Sequence, residues 1–243
     1  MTDFHYFEAP TDTSPGTLNP VFELLDFPIV MGGADDIVLT GPTPDKPMVD
    51  GREVSDPRLI KALSKPVELD RAEVLDRSAK LGGILHAMGI IGTENARVVI
   101  AEDVPPISRR LSILGAVRIG ASVDVRSGAA STDAPFASAS SADSSSTDGG
   151  GEGLTTVLVH TIDAAPIESG RASVKVIRSQ FEGVGITVAG ETANIDQAMR
   201  DSRVEPAAVV ALVPSRPLIV TEEKVLDAQS SLEWLAQETL AEA

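Results

Sequence analysis

The chain has 243 residues, 42% of them apolar but only 3% aromatic, so its core has to be assembled from Val, Ile, Leu and Ala. A formal charge of −16 opposes nucleic acid and anionic membrane surfaces as partners, because phosphate contacts need clustered Lys and Arg. The absence of cysteine excludes disulfides, thiolate catalysis and Cys-ligated metals. The opening Met1-Thr2-Asp3-Phe4-His5-Tyr6 has neither a basic nor an apolar stretch of the secretory kind, and no apolar run approaches membrane-helix length. A soluble cytoplasmic protein is expected.

Residues 1–30 read as an irregular N-terminal segment, with a short helix around Val21, Phe22, Leu24, Leu25 and Phe27. A single α/β domain is expected over 31–243. Ile37–Thr40 and Pro47–Val49 read as short strands on either side of a Gly-Pro turn. Asp70 followed three residues later by Glu73 has capping-box spacing, and Val74, Ser78, Leu81, Leu85 and Met88 continue it at helical period to a stop at Gly89. Arg97–Ala101 then reads as a buried strand, Pro105-Pro106 opens a second helix through Ile107, Leu111, Leu114 and Val117, and Ala121–Val125 returns as a strand. Strand, helix and strand of these lengths form a βαβ unit with parallel strands.

From Ser127 to Gly153 the composition shifts to Ser, Ala, Asp, Thr and Gly, predicting a flexible insertion at 127–153 that cannot bury enough surface to offset its ordering entropy. Thr155–Thr161, Ser173–Ile177 and Val184–Ala189 read as strands, and Asp196–Arg200 as a short helix. The unbroken apolar run Ala207–Val213 has the look of a central parallel strand, and Thr221–Leu240 of an acidic amphipathic helix.

Two stretches carry a family resemblance. Leu75-Asp76-Arg77-Ser78-Ala79-Lys80-Leu81, Met88-Gly89-Ile90-Ile91-Gly92, Ala96-Arg97-Val98-Val99-Ile100 and Gly115-Ala116-Val117-Arg118-Ile119-Gly120-Ala121 follow in the order and spacing of the adenylate-forming superfamily of acyl-CoA synthetases and AMP-binding enzymes. The second stretch, Val209–Gln229, resembles that family's nucleotide clamp with its working parts missing. Where the family has a loop of small residues, this chain has Pro214-Ser215; where it has Pro-Lys-Gly, this chain has Pro217-Leu218-Ile219; where it has Thr-His, this chain has Thr221-Glu222. Such loops hold phosphate through backbone N–H groups that glycine lets approach, with a Lys to neutralise the charge. The chain is similar to short actinobacterial proteins distantly related to AMP-binding enzymes.

The resemblance implies an α/β fold with a mostly parallel sheet flanked by helices, like the N-terminal part of an adenylate-forming enzyme. It makes Ser215, Arg216 and Thr221 the candidate cofactor-binding residues, Arg216 to pair with a phosphate or carboxylate and Ser215 to donate a hydrogen bond. The plainer reading of Ser215 and Arg216 is a turn. No catalytic residue and no metal site is assigned. The family's adenine pocket, ribose-binding Asp and lysine-bearing lobe have no counterpart in the 243 residues. The expected function is therefore that of a non-catalytic, acyl-CoA synthetase-like protein acting in binding, regulation or scaffolding. The alternative is a partial acyl-CoA/acid ligase that activates a carboxylate with ATP together with a partner chain, and only then is ATP or AMP expected as a cofactor. A protein partner or self-association is expected through an exposed sheet edge or the C-terminal helix. His5, His86 and His160 lack ligand spacing, Asp35-Asp36 and Glu222-Glu223 read as solvated acids, and no Gly-x-Ser-x-Gly or Gly-x-Gly-x-x-Gly motif occurs.

Overall fold

The computed structural model describes residues 4–42, 48–49, 52–53, 55–90, 96–128, 155–162, 179–201 and 203–240. The predicted strand at Ser173–Ile177 and nearly all of the Ser-rich insertion lie outside them.

A π-helical turn at Phe22–Asp26 runs into α1 (Phe27–Val30). The strands β1 (Ile37–Gly41), β2 (Met48–Val49) and β3 (Arg52–Glu53) follow, then α2 (Pro57–Leu63) and β4 (Val67–Asp70). The long helix α3 (Arg71–Ala87) starts at the predicted cap: Asp70 accepts from the Glu73 amide at 2.7 Å while Glu73 reaches back to the Asp70 amide. Its Val74, Ser78, Leu81 and Leu85 are buried, at the spacing read from the sequence.

The βαβ unit is β5 (Ala96–Ile100), α4 (Pro106–Arg118) and β6 (Ser122–Asp124), and its strands pair in parallel. The chain continues through β7 (Thr155–Thr161), β8 (Val184–Val188), β9 (Glu191–Asn194), α5 (Ile195–Arg200), β10 (Pro217–Val220), β11 (Val225–Asp227) and α6 (Ser231–Thr239). Among the described residues the main sheet has seven strands, in the order β11-β10-β6-β5-β7-β8-β9. Its four central strands, β10, β6, β5 and β7, are parallel, and β11, β8 and β9 add antiparallel margins. A separate antiparallel ribbon joins β1 to β4. The fold is thus α/β, with helices flanking a sheet whose centre is parallel.

Val98, Ile100, Val123, Val157, Val159, Ile186 and Ile219 form one continuous core with the buried faces of α3 and α4. The N-terminal segment joins this core: Leu18, Val21 and Leu25 are fully buried, although residues 1–30 read as irregular. Asn19 explains the anchorage. Its amide donates to the carbonyls of Val117, Arg118 and Val210, and its oxygen accepts from the Val21 amide at 2.9 Å.

Two sequence expectations are corrected. Ala207–Val213 is not a central strand. It crosses the α3–α4 pair as an extended strap, with the Ala207 amide on the Ala79 carbonyl at 2.7 Å, the Val210 amide on the Arg118 carbonyl at 2.9 Å, and one bridge between Leu212 and Leu18. Apolar composition fits either location, and Gly82 and Gly83 of α3 favour the strap by leaving room for the chain that enters it. At Gly83 a methyl group would overlap the Glu205 carbonyl oxygen, and at Gly82 it would crowd Ile119 at 2.9 Å. Thr221–Leu240 is likewise not one helix. Its first residues turn and return as β11, and only Ser231–Thr239 is helical.

Candidate functional site

The three parallel strands β5, β6 and β10 deliver their carboxyl ends to one edge of the sheet. Glu102 to Val104 leave β5 there, Val125 leaves β6 and Thr221 leaves β10. This is the edge at which open α/β sheets hold ligands. The start of α4, the β10–β11 turn and one side of α6 wall it into an open cavity of about 830 Å3, within the range of small-molecule sites.

Arg109, one turn into α4, is the cavity's main strut. Its guanidinium donates to the carbonyls of Ala101 at 3.1 Å, Ile100 at 3.3 Å and Val125 at 3.0 Å, tying the ends of β5 and β6 together. Burial pushes its pKa below the ordinary guanidinium value, against the attraction of Glu102 and Glu238. Beside it stand Arg110, Lys224 and Trp234. Across the lining as a whole, five carboxylates face three basic side chains.

A buried ionic group braces the strand ends. Asp124, the last residue of β6, is fully buried and accepts from Arg97 on β5 and from Arg126 at 2.7 Å. Burial alone pushes the Asp124 carboxyl upward, but the hydrogen bonds from Arg126 and Arg97 outweigh it and hold the group below the usual carboxylate range.

The sequence-derived candidates separate in space. Thr221 lies at the carboxyl end of β10 and lines the cavity, although its hydroxyl is engaged within the turn, donating to the Lys224 carbonyl at 3.0 Å and accepting from the Lys224 amide at 3.2 Å. Ser215 and Arg216 precede β10, at the opposite edge of the sheet, and are not part of the cavity. Their turn is tied to the strap and to β11: the Arg216 amide donates to Val213 at 3.0 Å and its carbonyl accepts from Ala228 at 2.9 Å. Leu218, at the position the family gives to lysine, is 0% exposed inside β10.

The histidines do not gather. His5 packs on the Phe27 ring at 3.6 Å and bonds Glu23 at 2.9 Å, His86 is exposed on α3, and His160 bonds the Thr187 hydroxyl at 2.8 Å. Among the described residues, no group of three or more His, Asp and Glu is placed to hold a metal ion. No described helix is long and apolar enough to cross a membrane.

Sequence reasoning missed Glu102, Arg109, Trp234 and Glu238. The βαβ unit held a usable pointer to the first two, because a ligand edge begins where its first strand ends and its helix starts. Trp234 and Glu238 reach the cavity only through the β10–β11 reversal, which leaves no local mark in the sequence.

No family model matches the chain, and no curated protein matches it. Among solved structures, the acyl-CoA synthetase of Brucella canis is similar at a TM-score of 0.44 and 16% identity over 84% of this chain. The chain covers 31% of that enzyme's length.

Proposed function

We propose that this chain is a non-catalytic protein of acyl-CoA synthetase-like ancestry that works by binding, in regulation or scaffolding. The observation that carries the reading is the position of Leu218. A side chain there points into the core, so a lysine at this position would not reach a triphosphate. The turn before it, Pro214 to Arg216, sits at the edge of the sheet away from the cavity. The acids around Thr221 add repulsion toward polyphosphate.

The scaffolding side of the proposal rests on the sheet margins. Among the described residues β11 and β9 are its outermost strands, and Val225 on β11 is well exposed. The C-terminal helix contributes less free surface, because Leu235 is fully buried against the chain's own core.

A thermal-shift panel with ATP, AMP, CoA and several acyl-CoAs tests the reading. A ligand at a hundred times its Kd stabilises a fold by roughly 2.7 kcal/mol, a readily measured shift. The expected result is no response to ATP or AMP. Stabilisation by either nucleotide overturns the proposal and favours a partial ligase completed by a partner chain.

A further inference from the structure

Resting on the scaffolding side of that reading, we propose that the strap is a docking edge for a second copy of this chain, the two straps pairing antiparallel about a two-fold axis at Ala211. The ground is how the strap's backbone is used. Its inner edge is full. Val210 donates its amide to the Arg118 carbonyl at 2.9 Å, and its carbonyl accepts from the Asn19 side chain at 2.8 Å. Leu212 exchanges both of its backbone groups with Leu18, at 2.8 and 2.9 Å. In extended chain the alternate residues turn their N–H and C=O groups to the other side. Those residues are Val209, Ala211 and Val213. Among the described residues none of their amides has a partner, and neither do the carbonyls of Val209 and Ala211. The Val213 carbonyl accepts once, from the Arg216 amide in the following turn. Ala211 and Val213 are exposed, so this outer edge lies at the surface.

A row of open donors and acceptors along an extended apolar segment is what strand addition uses. Two features commit this edge to a second copy. The first is register. When the two Ala211 residues lie opposite each other, each donates its amide to the other's carbonyl. The Val213 amide of each copy then meets the open Val209 carbonyl of the other. The Val209 amide meets the Val213 carbonyl, which keeps a lone pair beyond the one given to Arg216. One two-fold axis thus supplies a partner to every open group on the edge.

The second feature is charge. A formal charge of −16 sets two copies against each other, yet residues 206–214 carry no charge at all. The charges that flank this stretch are of opposite sign, Glu205 before it and Arg216 after it. Antiparallel pairing sets the acidic end of each strap beside the basic end of the other. Asp201 and Arg203, further out, are already paired with each other at 2.6 Å.

The test is sedimentation velocity on the full chain over a wide concentration range, in about 150 mM NaCl to screen the overall repulsion. A monomer–dimer equilibrium is expected. Ala211→Glu and Ala211→Lys each set two like charges opposite one another at the axis, and each should weaken the dimer about tenfold. Ala211 is exposed, so the melting temperature of either variant should stay near that of the wild type. An equimolar mixture of the two variants should associate again, because unlike charges then face each other across the axis. A wild type that stays monomeric throughout, a dimer indifferent to both substitutions, or a mixture that does not associate overturns the proposal. Hydrogen exchange reads the same edge directly: the Val209, Ala211 and Val213 amides should gain protection as the concentration rises. Protection that appears only on adding an extended apolar peptide assigns the edge to a different partner and overturns the second copy as its occupant. A dimer that persists in both variants counts against the strap alone and leaves the scaffolding reading standing. An ATP shift in the thermal panel counts against the non-catalytic reading and leaves the strap pairing untouched.

Discussion

Arg97 on β5 donates its guanidinium to the carboxylate of Asp124 on β6, and both side chains are buried. Arg97 Nε has no partner of its own, so the arginine depends on this carboxylate for its compensation. Removing one member of such a pair leaves an uncompensated buried charge, which costs about 3–5 kcal/mol. Asp124→Asn should therefore lower stability by that order at pH 7, as measured by urea unfolding.

The pH dependence of the same pair has a definite sign. The folded-state pKa of Asp124 lies below the ordinary 3.8, so its contribution is fully present above that value and is lost as the pH falls through the folded-state value. Unfolding free energies measured at pH 7, 4 and 3 should converge for the wild type and Asp124→Asn as the pH falls below about 4. A gap that widens with acid would mean the carboxyl is not held below its usual range.

Gly83 makes the third prediction. Its Cα faces the backbone at Glu205, just before the strap, and a methyl group there would overlap the carbonyl oxygen. Because a backbone carbonyl cannot rotate away as a side chain can, Gly83→Ala should cost about 1–3 kcal/mol. Gly89 is the control: nothing lies within 4 Å of an added methyl, and only its φ of +83° resists the change. Gly89→Ala should cost roughly 1 kcal/mol. Equal effects in thermal melts would argue against close packing of strap on helix.

The strap also marks the limit of what the sequence disclosed. The helix α3 and the βαβ unit after it were legible because their signals are local: the Asp70–Glu73 cap, the buried period of α3, and the prolines before α4. Ala207–Val213 was misread because a continuous apolar run specifies burial without saying where, and the deciding contacts come from Asn19 and Gly83, more than a hundred residues earlier. The candidate site divided in the same way. Thr221 fell at the cavity because strand ends are local features, whereas Ser215 and Arg216 were placed by analogy with a strand that lies elsewhere.

Asn19 predicts a large effect from a small residue. Its amide satisfies carbonyls on α4 and on the strap while its oxygen satisfies Val21, all in a fully buried setting. Asn19→Ala leaves several of these groups without partners, at a cost of about 2–3 kcal/mol. For a chain of this length the melting temperature should fall by roughly 5–10 °C. A fall of less than a degree would mean that water or a neighbour replaces the amide.

Leu218 gives the decisive substitution for function. Introducing a lysine with Leu218→Lys would place an ammonium group in a position that is 0% exposed, between the exposed Pro217 and the buried Ile219. Buried lysines lose their charge or unfold their hosts, with pKa shifts of up to 3–5 units, each unit being worth about 1.4 kcal/mol. The variant should therefore be destabilised by about 4 kcal/mol or more and show no stabilisation by ATP. Leu218→Met, which keeps the volume and stays apolar, should cost less than about 1.5 kcal/mol and leave the ligand panel unchanged. If Leu218→Lys instead keeps the wild-type melting temperature and gains an ATP shift, the side chain reaches a nucleotide site, and β10 is a repairable clamp rather than a core strand.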